Sequence, residues 1–302
     1  MILDNEFDIA YFSEYLRNPL SGKDREYARI FTDLENILRK HSYKAQIIPY
    51  KEKLTMSGQL SVWCRDYMSV PVTSGHAISF KYEPDYLQCK KYKDHQPDNR
   101  WLNLGYSLDH SDIKLDGGNI VRCGDKVVMV DKVLYENSLS PRKILDTMEN
   151  LFEAEIILLP WDTRDYLGHS DGILRYIGNH QVVMPTYQYP SRNRLDRRFD
   201  ETYRWILEQH GLSVQTIDFS GNSTENSPFH WAYVNWLQLK DLIIIPIFRD
   251  YPETNEQALK QIRKYLQGSG ISIETVEATA LAQNDGALNC ASWTTCESMF
   301  IK

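Results

Sequence analysis

The chain is 302 residues long, with 34 Lys and Arg against 41 Asp and Glu for a formal charge of −7, and with 42% hydrophobic and 25% charged residues. That balance belongs to a globular protein with a sizeable core, and it disfavours general phosphate-backbone binding, which needs basic surface. No apolar run approaches the ~20 residues that cross a bilayer, and the acidic start MILDNEFDIAYF lacks the basic and apolar regions of a signal peptide, so neither a membrane protein nor a secreted one is expected.

Taken in order, the patterns predict a helix over 24–40, a strand over 45–50 and a second strand over 77–82. The stretch 85–112 is long and polar and reads as a loop, more a lid or binding segment than a spacer. A strand follows over 126–131, then a helix over 141–152 and strands over 154–161 and 181–187. The basic cluster Arg192, Arg194, Arg197 and Arg198 is interleaved with Asp196 and Asp200 and reads as a solvated loop and helix start. The helix then runs over 200–210, with strands at 212–219 and 242–248. A last helix over 255–267 has Asn255 as its expected N-cap and Gly268 as its stop, before a strand at 272–278. From residue 141 onward helix, strand, turn and second strand recur at intervals of about 50–60 residues, and modules of that kind stack around an axis because none buries its faces alone. No Gly/Ser-rich or Pro-rich linker divides the chain, so one domain over 1–302 is expected.

The cysteines are Cys64, Cys89, Cys123, Cys290 and Cys296. An odd count without a leader argues for reduced thiols and a cytoplasmic location. Neither a Cys-x-x-Cys nor a His pair completes a metal site.

Four segments carry reactive groups at the ends of strand-like runs: VWCRDYM (62–68), LDGGNIV (115–121), YLGHSDGIL (166–174) and DGALNCASW (285–293). Gly117 and Gly118 let a backbone pass close to a ligand. His169 and Asp171, two apart, share one face if the segment is a strand. Each piece alone has an ordinary structural reading: a lone His, a small buried Cys, an Asp-Gly-Gly turn and a packed Trp63.

The ordered set is another matter. Trp-x-Arg-Asp, Asp-Gly-Gly-Asn, Gly-His-x-Asp and a Gly-led approach to a Cys near the C-terminus resemble the guanidine-modifying, or pentein, superfamily. The resemblance is in particular to the branch of agmatine deiminases and bacterial-type peptidylarginine deiminases, over about residues 60–295. The resemblance implies an α/β fold, a five-bladed pentein propeller of ββαβ modules about a pseudo-fivefold axis. It implies Cys290 as nucleophile, His169 as general acid/base, and Asp66 and Asp171 as the carboxylates that grip the guanidinium. Trp63 would flank the substrate, and Asp116 and Asn119 would give support or substrate contact. It implies a deiminase without metal or organic cofactor, acting on a small guanidino compound or an arginyl peptide.

That chemistry is coherent. A guanidinium carbon is a poor electrophile; two carboxylates can fix it from its edges, and a thiolate is the strongest nucleophile available for it. The same covalent intermediate would serve an amidinotransferase, and a catalytically silent guanidino-binding or protein-binding pentein and a Cys/His acyl hydrolase are further alternatives. Family members commonly have Gly-Pro soon after Arg-Asp where this chain has RDYMSVPV, His where it has Asn289, and a Gly pair where it has Asp285-Gly286-Ala287. An α-carboxylate on the substrate would call for an Arg, with Arg65, Arg100, Arg122 and Arg249 as candidates. The tail of the substrate and the oligomeric state stay open.

Overall fold

A computed structural model describes residues 1–19, 25–49, 61–73, 75–88, 105–186, 194–219 and 227–300. In chain order it contains β1 (Ile9–Phe12), α1 (Glu14–Arg17), α2 (Arg25–Lys40), β2 (Lys44–Ile47), α3 (Cys64–Tyr67), β3 (Val70–Thr73), β4 (His76–Lys81) and β5 (Ser107–Lys114). There follow β6 (Val121–Arg122), β7 (Lys126–Val130), α4 (Lys132–Glu136), α5 (Pro141–Phe152), β8 (Glu155–Leu159), β9 (Arg175–Gly178) and β10 (Gln181–Pro185). The chain continues through α6 (Arg194–Gln209), β11 (Ser213–Ile217), β12 (Leu237–Leu239), β13 (Leu242–Ile247), α7 (Pro252–Tyr265), β14 (Ser272–Glu277), α8 (Thr279–Ala282) and β15 (Ser292–Thr295).

The strands form five three-stranded sheets, centred on β1, β4, β7, β10 and β13. Every central strand pairs antiparallel with one neighbour and parallel with the other. A parallel pair needs a crossover, which is usually helical; α2, α5, α6 and α7 supply it in four of the sheets. This is the pentein architecture. One sheet is assembled from both ends of the chain: β15 pairs with β1 from Ile9↔Thr295 to Phe12↔Ser292.

The helices form where one face is apolar. In α2, Tyr27, Ile30, Phe31, Leu34 and Leu38 are buried, the 3.6-residue stripe that a core-facing helix requires. Helix α5 begins at Ser140, whose hydroxyl accepts the Lys143 N–H, and has Pro141 in its first turn. It buries Ile144, Met148 and Phe152, and ends at Glu153 in the left-handed region (φ 50°).

Several expectations need correction. Helix α6 starts before residue 200 because Asp196 and Asp200 turn into the core, where Asp196 accepts from Arg164 at 2.7 Å. Arg197 and Arg198 are exposed, while Arg192 lies outside the described residues. Asn255 is not a cap: α7 is preceded by Tyr251, and the Asn255 side chain holds both the N–H and the carbonyl of Phe248. The stretch 85–112 is not all loop, since β5 occupies its end as an edge strand, where polar residues are tolerated. Residues 89–104 of that stretch, Cys89 included, lie outside the described residues. Among the described residues no helix is long and apolar enough to cross a membrane.

Candidate active site

The segment leading into the first strand of each sheet converges on one place. Asp66 comes from α3, Asp116 from the residue before the 3₁₀ turn Gly117–Asn119, and His169 and Asp171 from the turn before β9. Asn235 follows the 3₁₀ turn His230–Val234, and Cys290 lies just ahead of β15. A closed circuit of polar contacts joins the five. The Arg65 N–H donates to the Cys290 carbonyl at 3.1 Å, and the Gly118 N–H to Asp66 Oδ1 at 3.1 Å. His169 Nε2 lies 3.0 Å from Asp116 Oδ2. Asn235 Nδ2 donates to the Asp171 carbonyl at 3.3 Å, and Asn235 Oδ1 accepts the Cys290 N–H at 3.2 Å. A group in such a circuit is fixed by neighbours on both sides, which is the pre-organisation that an active site needs.

The sequence-predicted residues fall into place unevenly. Cys290 Sγ lies 3.6 Å from Asp171 Oδ2, which also accepts from Asn289 Nδ2 at 2.7 Å. His169 sits between Asp116 and Asp66, with Nδ1 3.8 Å from Asp66 Oδ1. His169 and Asp171 do not lie on a strand; His169 precedes and Asp171 lies within a tight 3₁₀ turn, Ser170–Gly172, which sends the first to Asp66 and Asp116 and the second to Cys290. Asn119 is spent on the scaffold, since its amide holds the carbonyl and the N–H of Val130 at 3.0 and 2.7 Å. Trp63 is half-buried and packs on Gly286, where a Cβ would stand 2.2 Å from the indole ring. That contact gives a reason for Gly286 in the approach to Cys290.

The Gly-Gly pair serves these side chains directly. A Cβ on Gly117 would stand 2.0 Å from the Arg65 carbonyl oxygen, and one on Gly118 would stand 2.6 Å from His169 Nδ1 and 2.8 Å from Asp66 Oδ1. Gly118→Ala is therefore expected to push the imidazole off Asp66 and to lower kcat/KM roughly 10²-fold, the cost of an ångström of misplacement. Steady-state kinetics beside a thermal melt check it; wild-type kinetics in a folded variant would defeat the expectation.

Burial dominates the titration of the group. Burial pushes the Asp66 carboxyl up to about 7, against the opposing pull of His169. For His169, burial works against the charged form, but Asp66 and Asp116 outweigh it and raise the imidazole to about 10. The Cys290 thiol is driven well above its ordinary value by burial, with Asp171 and Asp66 adding to the effect. Among the described residues, Cys64, Cys123, Cys290 and Cys296 are free, and no group of three or more His, Cys, Asp and Glu is arranged to hold a metal ion.

A cavity of about 120 Å³ opens onto Cys290, His169 and Asp171, with Ile173, Pro185 and Trp231 among its other walls. Asp165 and Asp285 also face it, and Asp285 accepts from the Tyr166 hydroxyl at 2.7 Å. None of the candidate arginines among the described residues does. Arg65 donates to Asn289 and Thr294, Arg122 to Asp4, and Arg249 to Glu26 and Glu277; Arg100 lies outside the described residues.

Two further residues escape a reading by motif. Tyr86 donates to Asp116 Oδ2 at 2.7 Å, and its ring stands edge-on to His169. Asn235 holds both Asp171 and Cys290; the signal for it was its place in WAYVNWL, directly ahead of the buried strand LIIIPIF.

The Porphyromonas-type peptidyl-arginine deiminase family model matches residues 26–295. No curated protein sequence matches the chain. Among solved structures, the chain is similar to the C. jejuni agmatine deiminase, at 18% identity over 97% of this chain and 94% of that one, with a TM-score of 0.73. The agmatine deiminase of Enterococcus faecalis is similar at 13% identity over 97% and 94%, with a TM-score of 0.69. DDAH from Pseudomonas aeruginosa, complexed with citrulline, is similar at 13% over 96% and 100%, with a TM-score of 0.59. Identities this low speak to the fold the chains share.

Proposed function

Because the chain belongs to the Porphyromonas-type peptidyl-arginine deiminase family, we propose that it hydrolyses a C–N bond of a guanidino substrate, with Cys290 as nucleophile and residues 1–302 as one catalytic unit. The observation that carries this reading is the meeting of a thiol, an imidazole and three carboxylates in one buried circuit. Three carboxylates around one imidazolium leave room for a further positive charge, and a guanidinium supplies it. They would repel the oxyanion of an acyl transfer.

The steps follow from that charge balance. In the empty site the Cys290 thiol is protonated, because burial and Asp171 disfavour the thiolate. A guanidinium held by Asp171 and Asp66 compensates the carboxylates, and the thiol proton leaves to solvent. The thiolate bonds to the central carbon; the C–N bond then breaks as His169, an imidazolium at neutral pH, protonates the departing amine. Neutral His169 next takes a proton from water, whose oxygen bonds to the carbon of the thiouronium. Breaking the C–S bond frees a ureido product, with ammonia already released.

For the substrate tail we favour a cationic or neutral group over a carboxylate. Asp165 and Asp285 line the cavity without an Arg or Lys among the described lining residues, and His230, also on its wall, is lowered by burial to about 4 and so is uncharged at neutral pH. The test is release of ammonia and ureido product from agmatine, free arginine and an arginyl peptide, with and without added amine acceptors. Agmatine is expected to be preferred to free arginine by kcat/KM; a preference for free arginine would defeat the tail assignment, and turnover only with an amine acceptor would make the protein an amidinotransferase. The pH profile has a required sign. Asp66 must ionise to hold a cation and the Cys290 thiol must shed its proton, so kcat/KM rises steeply up to about 7 and more gently above it; the rise stops near 10, where His169 loses its own proton.

A further inference from the structure

A second, smaller cavity of about 10 Å³ is lined by Arg65, Arg122, Ser69, Gly117 and Trp293. The guanidinium groups of Arg65 and Arg122 take no part in the reaction above. With Arg175 they form a buried tier of three cations, 7%, 4% and 2% exposed respectively. Arg122 and Arg175 share the two oxygens of Asp4, at 2.9 and 3.1 Å. Among the described residues the acceptors of Arg65 are neutral, the Asn289 carbonyl at 3.3 Å and Thr294 Oγ1 at 3.1 Å. The Nε atoms of Arg122 and Arg175 are buried and meet no acceptor.

Three buried guanidinium groups therefore have one carboxylate in direct contact, Asp4, with Asp171 acting on Arg175 from further away, and buried charge is costly unless it is paired. Burial lowers the proton affinity of Arg122, with Arg65 and Arg175 adding their repulsion after the offsetting pull of Asp4. A water molecule would fit the cavity but would leave the charge uncompensated. We propose that the cavity between Arg65 and Arg122 binds one monovalent inorganic anion of halide size. The anion completes the charge of the tier, and it does so beneath the nucleophile. Arg65 carries the Cys290 and Asn289 carbonyls, and Arg175 donates to Asn289 Oδ1 at 2.9 Å.

Bromide is the probe. Crystals of the unaltered protein in saturating bromide should show an anomalous peak in contact with both Arg65 and Arg122. In solution, exchanging gluconate for chloride at constant ionic strength should raise the melting midpoint saturably, by about 2–4 °C for one weakly bound ion. The rise should vanish in Arg122→Met. A crystal without a bromide peak at this position overturns the proposal, as does a wild-type midpoint equal in the two salts or a rise that Arg122→Met retains. Where Arg122→Met does not fold, the bromide peak and the salt exchange on the wild type decide.

Discussion

Cys290→Ala is expected to lower kcat by roughly 10⁴- to 10⁶-fold, the loss seen when a covalent nucleophile is removed, while the protein stays folded. The thiol lies 3.6 Å from Asp171 Oδ2, and the Cys290 backbone N–H remains on Asn235 after the change. Deleting one sulfur from a buried position costs about 1 kcal/mol or less when the backbone is held this firmly. The melting midpoint should therefore barely move. Cys296 cannot substitute, since its sulfur lies against Ser298 on the far side of β15 in sequence and takes no part in the circuit. Retention of more than a few per cent of wild-type turnover in a homogeneous Cys290→Ala preparation would remove Cys290 from the mechanism.

His169→Asn should be nearly as damaging, about 10³-fold in kcat for ammonia release, within the usual range for a general acid and base. The informative readout is the dependence on leaving group. An S-methylisothiourea analogue expels methanethiolate, which departs without the proton that an amine requires. With that analogue the variant should still form the bond from Cys290 Sγ to carbon and break the bond from carbon to the methyl-bearing sulfur. Lacking a base to activate water, it should then accumulate the thiouronium, visible by intact-protein mass spectrometry. A variant equally slow with both substrates, without a trapped adduct, would assign His169 to positioning alone. Removing an imidazolium also leaves Asp66 and Asp116 facing each other, so the variant should bind a simple guanidinium at least as tightly as the wild type.

Much of this architecture can be read from residue patterns, and the parts that cannot share a physical cause. Helix α5 falls at 141–152 as its pattern requires, because a capping serine, a proline and an apolar stripe at intervals of four agree with each other. The central strands β7 and β13 are largely apolar runs rich in Val and Ile, as strands buried on both faces tend to be. The first strand of each sheet is different. Residues 121–122 of β6 and 237–239 of β12 are too short to show alternation, and they owe their pairing to the hairpin that follows. The order of the motifs anticipated that Asp66, Asp116, His169, Asp171 and Cys290 would meet. It could not anticipate that Asn119 faces Val130, or that Gly117 and Gly118 make room for Arg65, His169 and Asp66. Those are facts about which surfaces come together, and local sequence does not encode them.

The seam between β15 and β1 has a consequence for when the protein can act. During synthesis the segments carrying Asp66, Asp116, His169 and Asp171 leave the ribosome long before Cys290, and four of the five sheets can form without it. On the proposed mechanism the thiol reaches its partners only when β15 emerges and zips onto β1, so a nascent chain short of β15 holds the acids and the base without the nucleophile. On that reading dormancy during translation is written into strand order, and moving the seam by circular permutation into the hairpin between β9 and β10 would bring the nucleophile out early but leave His169 and Asp171 to the end, so the silent interval would persist with a different group missing.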